Sequence, residues 1–327
     1  PNPDQDDLSH TTVWPWGRGN HYLFDLNRDW FTMIHPESAR SEVLAGWNPQ
    51  IVLDCHEMGS DSTYLFTPPR EPFNPLLPDY MRKWWAQFAG DQAKALDERG
   101  YGYYTGEWNE EFFPGYGSSW PAYLGALGIL YEMSGTDGTL VRKQDGTVRT
   151  FGEAVEHQVT SSVANLETLA IHRQEFLDDF VRTRRTAIAS PKGPARAWLL
   201  PPGRYPQRTD ALAMLLRRQG LEVYRLEEAA ELSGLREART GQQITREVPA
   251  GTWMVPLDQP ASPLASVLLD PHVPMSSTAL REVRESIERG DGARLYDATA
   301  WSLPLLYGVE SYWTTEKPGG SWSLEAE

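Results

Sequence analysis

An Asn-Arg pair, Asn27 and Arg28, sits inside the segment NHYLFDLNRDW at 20–30, where a short apolar run gives way to polar residues. A guanidinium fork at the end of a strand suits the grip of a planar anion such as a carboxylate, while pairing with Asp25 or Asp29 is the competing use of the same side chain. Arg18 precedes the pair in the same stretch. Two further groups stand out by position, because His56 ends the apolar run IVLDCH and Glu132 ends GILYE. A neutral imidazole is a good zinc ligand, a carboxylate across a cleft is a good base for a metal-bound water, and two arginines supply positive charge. Such a set fits metal-assisted hydrolysis of an acyl bond in an anionic substrate. Each member also has a plainer use, as a hydrogen-bonded histidine after a strand or a glutamate that caps a turn.

The elements that must position these groups follow from hydrophobic periodicity. IVLDCH at 51–56 and GALGILYEM at 125–133 read as buried strands, and the carboxyl ends of strands are where open α/β sheets hold their active sites. A Pro/Gly-rich loop, TPPREPFNPLLP at 67–78, leads into a helix over 80–100 that stops at Gly100. Apolar residues at helical spacing from 151 to 185 describe one long helix, with or without a break. SPKGP at 190–194 reads as a linker. Beyond it, ARAWLLPP, RTDALAMLLRRQG and LEVYRL suggest a strand-helix-strand unit, followed by a strand at GTWMVPL and a helix at STALREVRESIERGDG. The expected fold class is therefore α/β: a mixed sheet with flanking helices over 1–186 and a second, smaller α/β domain over 195–327.

Composition narrows the function classes. A chain of 327 residues with 40% apolar content and 13 Trp can build real cores. The net charge of −15 argues against nucleic acid as a partner, because phosphate contacts need clustered Lys and Arg. The longest apolar stretch, AYLGALGILY at 122–131, is about half of what a membrane span requires. Cys55 is the only cysteine, so no intrachain disulfide forms, and on a strand Asp54 and His56 point away from its thiol. The acidic run EWNEEF, with Glu107, Glu110 and Glu111, reads as solvated surface, with a held cation as the alternative. Trp84, Trp85, Trp108 and Trp120 read mainly as core, with a cleft lining as the alternative.

GRGNHYLFDLNRDW resembles the GRxN…DLNRN(F/W) segment of the M14 (funnelin) family of zinc carboxypeptidases, including the spacing of its two arginines. PNPD at 1–4 resembles that family's NPDG signature with Gln5 in place of Gly, DCHEMG its third zinc-ligand segment, and ILYEMSGTDG the strand of its catalytic glutamate. The resemblance covers residues 1 to about 180 and implies a zinc cofactor and a peptide substrate with a free carboxylate. It implies that His56 is a zinc ligand and Glu132 the general base that later protonates the leaving amine. Arg28 with Asn27 would bind the terminal carboxylate, Arg18 would stabilise the oxyanion, and Tyr116, in PGYGSSW, would be the substrate-contacting tyrosine, with Tyr104 and Tyr123 as competitors.

The family takes its other two zinc ligands from an HxxE motif upstream of the NPDG segment. Here the only HxxE is His172 to Glu175, read as solvated positions on the long helix. The expectations are accordingly a metallocarboxypeptidase completed by further sequence or by a separate piece, or a zinc-free module that binds a carboxylate. Hydrolysis of an N-acyl amino acid or a cell-wall peptide would use the same constellation. The strands that the family places ahead of its NPDG segment would be absent too, so its central sheet would have an uncovered edge.

Overall fold

The computed structural model describes residues 19–136, 140–293, 295 and 301–325. After helix α1 (Arg40–Trp47), strand β1 (Ile51–Met58) runs parallel to β3 (Leu127–Ser134), and β2 (Tyr64–Phe66) lies antiparallel on the far side of β3. This register sets His56 directly opposite Glu132. The two strands differ in burial as their sequences require. β3 sits between neighbours and is nearly all buried, whereas β1 is an edge strand whose Leu53 and Cys55 are exposed.

Gly128 of β3 is required by a close approach. A Cβ there would lie 1.8 Å from the carbonyl oxygen of Ser118, so only glycine lets the 116–119 loop settle onto the strand. Helix α2 (Met81–Asp97) buries Met81, Trp84, Trp85, Phe88, Gln92 and Leu96, the stripe that a 3.6-residue period produces. The short helix α3 (Trp120–Tyr123) leads into β3, and the β4 (Val141–Arg142) and β5 (Val148–Arg149) hairpin follows it.

Helix α4 (Phe151–Ala189) is unbroken over 39 residues, roughly 58 Å at 1.5 Å per residue. Thr150 and Glu153 start it with a reciprocal capping box. It packs along α2, where Asp179 accepts from Trp84 Nε1 (2.9 Å) and Lys83 Nζ (2.8 Å). Its His172 lies edge-on to Trp84, and its exposed Glu175 pairs with Lys83.

The second half is built on a seven-stranded sheet. Its elements are β6 (Ala197–Leu200), α5 (Pro206–Arg218), β7 (Tyr224–Leu226), β8 (Ala230–Glu237), β9 (Gln243–Val248), β10 (Trp253–Pro256), α6 (Ser262–Leu269), α7 (Ser277–Glu288), α8 (Leu303–Tyr307), β11 (Tyr312–Thr314) and β12 (Trp322–Leu324). The strand order β12-β7-β10-β6-β11-β8-β9 is antiparallel throughout. The strand-helix-strand expectation is corrected in one respect: β6 and β7 do run the same way, but β10 lies between them. Trp84, Trp85 and Trp120 belong to one buried cluster that continues through Trp198, Trp253 and Leu264, so a single core joins the two halves. No described helix is long and apolar enough to cross a membrane.

Candidate functional site

A cleft at the carboxyl ends of β1 and β3 is lined by Asn27, Arg28, Asp54, His56, Glu111, Tyr116 and Glu132, among others. Residues singled out from four separate stretches of sequence therefore meet at one place. Arg18 lies outside the described residues.

Asp25 shapes the first wall. It accepts from the backbone N–H of Asn27 (2.9 Å) and caps the short 3-10 turn Leu26–Arg28. Arg28 lies 4.6 Å over the Tyr116 ring and makes a loose ion pair with Asp25 at 3.5 Å. The ordinary partner weighed for Arg28 is thus present, alongside an aromatic platform that holds the guanidinium in the cleft. Asp29, the other candidate partner, is buried. It accepts from Thr32, Ser38 and the N–H groups of Ile34 and His35, which fold the 29–38 loop. Tyr116 is buried against Phe113 and Arg28.

Asn27 is a junction. Its Oδ1 accepts from Trp30 Nε1 and from the N–H of Gly117, both at 2.8 Å, which fixes the amide and turns Nδ2 toward His56 Nε2 at 3.0 Å. The same imidazole nitrogen lies 2.8 Å from Asp54 Oδ1. A protonated Nε2 satisfies Asp54, and an unprotonated one accepts from Asn27, so the two contacts compete for one nitrogen. Asp54 Oδ2 is buried without a partner among the described residues, and the backbone of Gly117 passes so close that a Cβ would lie 2.7 to 2.9 Å from the carboxylate.

The acidic run at 107–111 is solvated only at Glu107, and the expectation is corrected for Glu110 and Glu111. Glu110 is 3% exposed and paired with Arg70, while Glu111 is 4% exposed and lines the cleft. Trp108 and Glu111 hold positive φ angles of 39° and 52°, which turn the segment inward. Glu111 Oε1 accepts from Ser118 Oγ at 2.8 Å and from Asn109 Nδ2 at 3.4 Å, and its Oε2 has no partner among the described residues. Burial pushes its carboxyl up to about 7, with the charge of Asp54 acting in the same direction. Glu111 is therefore a group that changes protonation near neutrality inside the cleft.

No family model, curated protein or solved structure matches the chain. The site's meaning rests on its own chemistry.

Sequence reasoning missed Asp54 and Glu111. The first was legible, since positions 54 and 56 of a strand share a face. The second was hidden by a rule that usually holds, that runs of charge are solvated. Trp108 lines the cleft, whereas Trp84, Trp85 and Trp120 are core. Among the described residues, no group of three or more His, Cys, Asp or Glu is arranged to hold a metal ion.

Proposed function

We propose that the cleft recognises the C-terminal residue of a peptide by its free carboxylate, as part of a hydrolase of the zinc-carboxypeptidase kind. The observation that supports this reading is the convergence of Asn27, Arg28, His56, Tyr116 and Glu132 on one cleft. Arg28 offers a planar guanidinium fork, held on the Tyr116 ring and beside Asp25, that matches the geometry of a carboxylate. Asn27 sets the position of His56 and of the Gly117 backbone. Glu132, across the strand pair from His56, is the carboxylate that takes and returns a proton. Glu111, whose carboxyl burial pushes up to about 7, donates a hydrogen bond from the cleft wall to the substrate in its protonated form.

Zinc in such an enzyme supplies a nucleophilic water and polarises the scissile carbonyl. The described residues do not make that centre by themselves. His56 Nε2 is engaged by Asp54 and Asn27, and the donor set contains no group of three. The same observation favours a second reading, a metal-free module that binds a C-terminal carboxylate without cleaving.

Zinc content and the binding and turnover of an N-acyl dipeptide such as benzoyl-glycyl-phenylalanine separate these readings. Stoichiometric zinc that is lost in His56→Ala, with turnover lost in Glu132→Gln while binding persists, supports the hydrolase. Binding through Arg28 without zinc or turnover supports the module. Unchanged dipeptide affinity in Arg28→Ala would sink both.

A further inference from the structure

A second cavity, of about 640 Å³, opens on the sheet of the C-terminal half, away from the cleft residues. Its volume lies within the range of small-ligand sites, and its walls are mainly apolar with a few polar groups gathered together. Two indole rings form its lining on the sheet side: Trp198 of β6 and Trp313 of β11 face each other across the antiparallel ladder. Pro75 and Val273 contribute apolar surface from two loops.

The polar groups are of opposite sign. Arg239, in the turn between β8 and β9, is exposed and has no carboxylate within ion-pair distance among the described residues. Its neighbour Glu237 instead turns its oxygens to the backbone N–H groups of Arg239 and Thr240, at 3.2 and 2.8 Å. Asp270, at the end of α6, is partly buried, and burial pushes its carboxyl upward. One residue ties the two groups together. His272 donates its backbone N–H to Asp270 Oδ1 (2.8 Å), and its ring nitrogen Nε2 donates to the carbonyl of Arg239 (2.9 Å). The remaining cation, Lys192, is held by the carbonyls of Pro75 and Leu77 and by Asp79, so it braces a wall.

We propose that this cavity binds a free α-amino acid with a large apolar side chain, its carboxylate on Arg239, its ammonium on Asp270 and its side chain against Trp198 and Trp313. A fatty or aromatic acid would satisfy Arg239 but leave Asp270 facing an anion. An amine would do the reverse. Only a ligand carrying both charges next to an apolar body matches a cation, an anion and an aromatic wall in one cavity. The assignment does not depend on the activity proposed for the cleft.

Titration calorimetry of the full chain with L-phenylalanine, L-aspartate and 3-phenylpropionate tests it. Saturable binding of phenylalanine is expected, with aspartate and phenylpropionate at least several-fold weaker. Arg239→Ala should weaken phenylalanine about tenfold, the loss of one charge-assisted hydrogen bond. Asp270→Asn should bring phenylalanine and phenylpropionate closer together. Arg28→Ala removes whatever phenylalanine the cleft takes by its carboxylate, and the binding that Arg239→Ala weakens should persist in it. Absence of saturable phenylalanine binding up to about 10 mM, the weak end of measurable affinity, overturns the proposal. So does binding that is lost in Arg28→Ala and kept in Arg239→Ala. Arg239 is exposed, so its replacement leaves the fold intact and the result interpretable.

Discussion

Replacing Glu111 by Gln should stabilise the protein at neutral pH and leave it unchanged in acid. The carboxyl is 4% exposed, and its folded value of about 7 compares with an ordinary value of 4.5. Below pH 4.5 the group is protonated in both folded and unfolded chains and contributes no pH dependence. Between 4.5 and about 7 the folded state keeps a proton that the unfolded state has released, so stability falls as pH rises. Above that window the full cost of an ionised buried carboxylate is present, about 3 kcal/mol for a gap of this size. Glutamine keeps the shape and carries no charge, so the cost disappears.

His157 acts in the opposite sense. Burial between the Tyr64 and Tyr101 rings, with Arg149 beside it, lowers its value to about 4, so its contribution is lost as pH falls from 6.5 toward 4. The two slopes oppose each other between pH 4.5 and 6.5, which hides both in the wild-type profile. Subtracting wild type from Glu111→Gln cancels His157. Urea denaturation at intervals from pH 4 to 8 should give a difference that starts near zero and grows to about 3 kcal/mol. A difference that is flat with pH, or a variant less stable at pH 8, would refute the placement of Glu111 as a buried acid.

Gly117→Ala would put a methyl group under 3 Å from the Asp54 carboxylate. It should cost about 1–3 kcal/mol of stability by overpacking and weaken carboxylate binding in the cleft, read by denaturation and by dipeptide titration. Gln219 is fully buried and joins the two halves, accepting from Trp120 Nε1 (2.6 Å) and donating to the carbonyl of Phe31 (2.7 Å). Gln219→Leu leaves both partners unsatisfied. It should cost about 3 kcal/mol, and a change confined to the C-terminal half's unfolding signal would contradict this coupling.

Much of the frame was legible because single elements carry strong periods. The stripe from Met81 to Leu96 and the run LGILY announce α2 and β3 without any tertiary information, and DLNR, DCH and YE locate the cleft's contributors. What escaped depends on long-range packing. The β8 and β9 hairpin went unread because AELSGLRE and QITREV carry Glu, Arg and Gln on an exposed face, so propensity is weak and pairing decides. The insertion of β10 between β6 and β7 is a property of the whole sheet. Glu110 and Glu111 are buried by Arg70, Ser118 and positive-φ backbone at Trp108 and Glu111, none of which has a local signature.

The unbroken course of α4 has a consequence for how the chain responds to cutting. The helix runs three residues past the boundary expected at 186, and the irregular 190–195 segment begins just after it, beside a core that both halves share. A protease that nicks this segment cleaves one peptide bond and removes none of the packing across it. The two fragments are expected to stay associated through that shared core, with the cut visible under denaturing electrophoresis and silent in the native particle's mass.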